Sequence, residues 1–147
     1  MRTFAATGRR PPAGWAMVLV AVALAGGCGK SGDTGPVKDT EHLTAIRKAY
    51  LAATQRLGRR PRNLEELKPS LAAEGNPDEV LVSPNDNLPY VIVFGADPRK
   101  HVIAYEQKGV NGVRMAVDQN VLPKRLSPEE FETLSFPPGH KRVSAPK

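Results

Sequence analysis

Eleven consecutive apolar residues, Trp15 to Ala25, limit what the start of this 147-residue chain can become. A membrane-spanning helix wants roughly 20 apolar residues. Even the whole uncharged stretch from Pro11 to Gly29 reaches only 19, and that stretch includes Pro and several Gly. Arg2, Arg9 and Arg10 precede the run, Gly26 and Gly27 follow it, and residues 1–27 hold no Asp or Glu. A positive start, a short apolar centre and small residues at its end are the layout of a secretory signal. Residues 1–27 are therefore predicted to be an export signal, and the folded domain must lie beyond them.

Charge is best judged on what remains. Without the three signal arginines the 21 Lys and Arg fall to 18, against 15 Asp and Glu, so a net charge of +6 becomes +3. A field that weak gives no reason to expect a nucleic-acid partner. Gly and Pro together make 27 residues, about 18% of the chain, below the roughly 25–30% of low-complexity sequence. One folded domain is expected. Cys28 is the only cysteine, so the chain forms no internal disulfide, although small exported domains often rely on them. A lone thiol directly after an apolar run points to a use other than cross-linking.

Leu24-Ala-Gly-Gly-Cys28 resembles a lipobox, the end of a bacterial lipoprotein signal. That resemblance implies a diacylglyceryl group on the Cys28 thiol, cleavage just before it, and acylation (palmitate or similar) of the new amine. Two or more acyl chains hold a small domain durably, where one binds marginally. The one departure is Ala25 at the position where Leu is usual, with Leu24 one residue further back. The alternative is an ordinary signal with a coincidental Cys. Residues 28–39 are then the lipidated Cys and a tether: Gly29 to Asp39 is small, polar and broken by Gly and Pro. Fully stretched, it spans about 35–40 Å.

Residues 40–136 read as an α+β domain, an N-terminal amphipathic helix on a small antiparallel sheet of three to four strands with a short C-terminal helix. Asp39 and Thr40 offer N-caps, and Leu43, Ile46, Tyr50, Ala53 and Leu57 form one apolar face before Gly58. A shorter helix starts at Asn63, with Glu66 three residues on, and is expected to halt before Pro69. Val80 to Val82, Tyr90 to Phe94, His101 to Glu106 and Val113 to Val117 read as strands joined by turns. Tyr90 to Phe94 is apolar on both faces, which predicts a central strand. Short connections imply a meander. Ser127-Pro-Glu-Glu130 opens the last helix, and residues 137–147 read as a basic tail.

Over roughly residues 40–120, a helix feeding a small sheet resembles the head of a type II secretion pseudopilin. The local match is Ser83-Pro-Asn-Asp-Asn-Leu-Pro-Tyr90, with Tyr105 to Gly112 echoing the next strand and turn. The chain also resembles helix-plus-sheet bacterial lipoproteins of no assigned role that end in a stretch like Phe136-Pro-Pro-Gly-His-Lys141. The pseudopilin resemblance implies an accessory part in a secretion or pilus-like assembly. The departures are a lipobox and tether in place of a filament-building membrane helix, and no acidic calcium loop. Asp118 with Asn120 is too sparse for one.

Chemistry-bearing residues are scattered. His42, His101 and His140 each lack a ligand-type neighbour three or four residues away, so no metal site is expected. Glu65 and Glu66 point about 100° apart on a helix and do not converge on one atom. No nucleophile or phosphate-loop motif is present. Asn85-Asp-Asn87 reads first as turn-forming residues, without the Gly and Glu of a calcium loop. Arg56, Arg59, Arg60 and Arg62 read as cations at a helix C-terminus. Their alternative role is attraction to anionic headgroups, about 1 kcal/mol each. The expected function is therefore a noncatalytic envelope protein with no cofactor, held to a membrane through Cys28, that binds another envelope protein or serves structurally. A secretion-accessory role is the alternative, and a small hydrolase or metal protein rests only on the scattered His and Asp.

Overall fold

The computed structural model describes residues 35–118 and 122–143, with side chains from Lys38 onward. Residues 1–34, which include the expected export signal and Cys28, lie outside the described residues, as do Asn120 and the last four residues. In chain order the elements are α1 (Gly35–Leu57), α2 (Leu64–Leu71), α3 (Pro77–Val80), β1 (Val91–Ile92), β2 (Ala104–Tyr105), β3 (Arg114–Val117), β4 (Lys124–Leu126) and α4 (Pro128–Glu132). The strands make one antiparallel sheet in the order β1-β2-β3-β4. The expected α+β class and meander are what the fold shows.

The apolar stripe of α1 explains why this helix is the spine. Leu43, Ile46, Ala49, Tyr50 and Ala53 are fully buried, where α1 packs on α2, α3, β2 and β3. Each large side chain so buried contributes about 1.5–3 kcal/mol. The Tyr50 hydroxyl reaches past the core to the carbonyls of Val93 and Ala96, at 3.3 and 3.1 Å. Burial pushes that phenol up to about 12. The start of α1 differs from the N-cap expectation. It begins at Gly35, takes in the last residues of the segment read as a tether, and buries Asp39 in its second turn. Asp39 is held by side chains more than 40 residues away, not by the N–H groups of its own helix.

Asn63 caps α2 as expected, accepting from the Glu66 N–H at 3.0 Å. The helix runs through Pro69 to Leu71, because the turn that contains Pro69 also buries Leu71 four residues after Leu67. Around Val80 the expected strand is a one-turn helix instead. Asn76 accepts from the Asp78 N–H and Pro77 occupies the first helical position, and this start signal overrides the β-branched run. Only Val82 pairs as strand, in an isolated bridge to Pro89.

β1 is an edge strand, not a central one. Its two residues are half-buried. The more enclosed strands are β2 and β3, on which α1 packs. Phe131 of α4 and Phe136 meet Tyr105 of β2 edge-to-face at 5.0 and 5.6 Å. All four residues of β3 are buried, including Arg114, which is 3% exposed despite its outward place in the alternation. Its guanidinium sits 4.4 Å over the Phe131 ring and donates to the Val143 carbonyl at 2.8 Å. The segment after Phe136, read as a tail, is thus pinned as far as Val143, whose N–H donates to the Tyr105 hydroxyl at 3.2 Å.

The β2–β3 hairpin closes as its sequence demands. Asn111 and Gly112 both have positive φ, +54° and +79°, between Val110 and Val113, which exchange backbone bonds of 2.9 and 3.0 Å. This is the type I′ turn that Asn-Gly favours. A Cβ at Gly109 would run into the Val113 carbonyl. At the far end of the sheet, Ser127 and Glu130 complete the expected capping box.

Candidate functional site

The structure brings together a polar cluster inside the fold that was not anticipated. Asp39 of α1, Ser83 from the turn before β1, and Glu106 just after β2 are all fully buried. Ser83 Oγ lies 3.0 Å from Asp39 Oδ1 and 2.7 Å from Glu106 Oε1. The Tyr90 hydroxyl donates to Asp39 Oδ1 at 2.7 Å. Asn85 Nδ2 donates to Glu106 Oε1 at 2.9 Å, and the Met115 N–H donates to Glu106 Oε2 at 2.6 Å. The Asn85 N–H donates to Ser83 Oγ at 3.1 Å.

Counting protons shows what this arrangement requires. Ser83 has one hydroxyl proton for two carboxyl oxygens. With both acids ionised, two like charges would share that proton in a dry site. Burial raises the Glu106 pKa, opposed by the Met115, Ser83 and Asn85 hydrogen bonds and reinforced by Asp39. In its neutral form Glu106 donates to Ser83 Oγ, and Ser83 donates onward to Asp39. The Tyr90 phenol is shifted strongly upward by burial and then by Asp39, so it stays a donor. Asp39 Oδ2 has no partner. The other carboxyl oxygens and the Ser83, Tyr90 and Asn85 donors are bonded within the cluster or to the Met115 N–H, which makes it a lock between α1 and the sheet.

The Ser83–Pro89 turn serves that lock. Asn87 takes a positive φ of 54°. Asp86 accepts from Leu88, Lys108 and Gly109 N–H groups at 2.9–3.0 Å, which fastens the turn to the β2–β3 hairpin next to its tip. The Asn85-Asp-Asn87 oxygens weighed as calcium ligands lie within this bonded turn. Among the described residues no three of His, Cys, Asp and Glu gather as a metal set.

The three histidines are apart. His42 Nδ1 meets the Val82 carbonyl at 3.0 Å. His101 Nδ1 accepts from the Asp97 N–H at 3.1 Å, which leaves the ring proton on Nε2 in the neutral form. His140 Nε2 lies 3.1 Å from the Tyr105 hydroxyl, and its ring stacks on Phe136 at 5.0 Å. Burial and then Arg142 lower the His140 pKa. Glu65 and Glu66 also separate. Glu65 pairs with Lys68 at 2.8 Å, while Glu66 takes both ends of the Arg59 fork at 2.8 and 2.9 Å. The Arg59 hydrogen bonds, then the Arg62 N–H, hold the Glu66 carboxyl at about 2.

The arginine cluster is knitted into its surroundings. Arg56 donates to the Glu66 carbonyl at 2.6 Å, and Arg60 pairs with Asp97 at 2.9 Å. Arg60 also lines a groove of about 580 Å³ beside β1, with Ile92, Phe94, His101, Pro137 and His140 on its walls. Apolar Ile92 and Phe94 and polar Arg60, His101 and His140 share its lining.

No helix among the described residues is long and apolar enough to cross a membrane. No protein-family model, curated protein or solved structure matches the chain.

Proposed function

We propose that the chain is a noncatalytic, lipid-anchored protein of a bacterial cell envelope whose folded head binds another envelope protein. The observation that carries the anchor is Cys28, the only thiol, directly after the apolar run and Gly26-Gly27. Two features of the head favour binding over chemistry. Its acids, Asp39 and Glu106, are sealed away from solvent. An open groove lies beside β1, lined by Phe94, Ile92 and the residues around His140.

Two experiments test this reading. Cys28→Ser should abolish the lipid-modified form and leave unprocessed precursor. A variant that is cleaved and remains in the membrane fraction as before overturns the anchor. A photo-crosslinker at Arg99, on the exposed turn beside the groove residue His101, should give a discrete adduct with one envelope protein in cells. Reproducible absence of any adduct counts against the binding role. A secretion-accessory role is the second reading, supported by the helix-plus-meander arrangement that the pseudopilin resemblance implies. Unchanged secretion after deletion of the gene removes it.

A further inference from the structure

One end of the head carries a set of exposed apolar side chains that the fold does not use. Val110 is 49% exposed, Val113 37% and Val82 36%. They account for half of the six large apolar residues that stand exposed among the described residues. Val110 and Val113 are the cross-strand pair bracketing the Asn111-Gly112 turn, so their side chains leave the same face of the hairpin tip. Val82 is linked to that hairpin through the bonded turn that follows it. Its bridge to Pro89 continues to the hairpin through the Gln107 side-chain bond to the Pro89 carbonyl at 2.8 Å, and through Asp86 to Lys108 and Gly109.

The same end holds the N-terminal turns of α1. His42 meets the Val82 carbonyl, and Asp39 meets Ser83. The chain therefore enters the head beside Val82 and the turn that is bonded to the hairpin. Between Cys28 and Gly35 there are seven residue steps, which span at most about 25 Å. An anchor at Cys28 keeps this end within that distance of the bilayer. The opposite end of α1 lies about 27 Å away, at 1.5 Å per residue from Asp39 to Leu57. Tyr50, in the later half of α1, bonds the carbonyls of Val93 and Ala96, and the Gly95 N–H bonds Pro61. The groove-lining residues Arg60, Phe94 and Gly95 thus gather toward that far end.

We propose that Val82, Val110 and Val113 form a lipid-contacting tip that seats the head on the bilayer holding its anchor, with the β1 groove turned away from the membrane. This seating rests on the lipid-anchor reading above. Apolar side chains at the tip of a bonded turn can enter the interfacial layer without unfolding anything, and the acyl chains on Cys28 supply the affinity that three valines lack.

The test uses the full-length lipidated protein in vesicles of phosphatidylethanolamine and phosphatidylglycerol. With Cys28 occupied by lipid, Lys108→Cys at the tip and Arg99→Cys near the groove each accept one environment-sensitive dye. Brominated lipid should quench the Lys108→Cys dye at least twofold more than the Arg99→Cys dye. Adding Val82→Ser, Val110→Ser and Val113→Ser together should remove that difference while circular dichroism and the Cys28 modification are unchanged. With Cys28 lipidated by mass, equal quenching at the two dyes, or a difference that survives the three serines, overturns the seating alone. An unmodified Cys28 overturns the anchor and the seating with it. If the triple variant misfolds, Val110→Ser alone should still lower the difference, and no change there contradicts the proposal.

Discussion

Two polar clusters sit near opposite ends of α1, and they are built on opposite principles. Near its start, Asp39, Ser83 and Glu106 are sealed inside the fold with no cation among their hydrogen-bond partners. Beyond its end, Arg56, Arg59 and Glu66 lie at the surface, with the acid met by a two-pronged guanidinium and a backbone N–H. The surface cluster looks the stronger on a list of charges, yet exposed pairs are screened by water and salt. The buried cluster has fewer charges, and each missing partner there leaves a group with no water to turn to. Position relative to solvent, more than charge count, decides which cluster holds the molecule together.

Removing members of the buried cluster should therefore separate the two most widely. Glu106→Ala strands the Met115 N–H, the Asn85 amide and Ser83, and should lower unfolding stability by about 3 kcal/mol in urea titrations. Ser83→Ala removes the hydroxyl that both acids share and should cost about 2 kcal/mol. At the C-terminal strap, Tyr105→Phe deletes the hydroxyl that holds His140 and Val143. It should cost about 1 kcal/mol and speed tryptic cleavage after Lys141 and Arg142. Arg59→Ala, at the exposed cluster, should shift the urea midpoint least of these variants. If Arg59→Ala proves as damaging as Ser83→Ala, the contrast drawn here is wrong.

The clusters should also respond to pH with opposite sign. Glu106 has a folded pKa above its ordinary value, so its contribution is present below the usual glutamate range, near 4.5, and fades as pH rises through the raised value. Glu66, held at about 2, contributes above 4.5 and loses that contribution as pH falls toward 2. Comparing the stability of Glu106→Gln with the parent across pH 4–8 should show a gap that changes with pH. A parallel pair of curves would mean that Glu106 does not titrate differently in the folded state.

How much of this was visible in the residues follows from the range of each interaction. The α1 stripe from Leu43 to Ala53, the Asn63 cap, the Ser127–Glu130 capping box and the Asn111-Gly112 turn are local patterns, and each appears where its residues placed it. Around Val80, two local signals competed, and the Asn76-Pro77 helix start won over β-propensity. The acid lock joins residues 23 to 51 positions apart, so no short window contains it. The one hint was Glu106 closing an otherwise apolar strand segment. Arg114 alternates with Val113, Met115 and Val117, a pattern that would turn it to solvent, and nothing near it in sequence announces Phe131 and Val143 as its cover. Cys28, the residue proposed to carry the anchor, lies outside the described residues, and only the sequence pattern around it supports that proposal.

The proposed anchor is open to one direct measurement, an intact-mass and fragment spectrum of the N-terminal peptide of the protein recovered from membranes. The account predicts a chain that begins at Cys28 and carries a diacylglyceryl mass on its sulfur, with a further acyl chain where the amine is modified. A chain that begins elsewhere, or an unmodified Cys28 thiol in membrane-recovered protein, would contradict it.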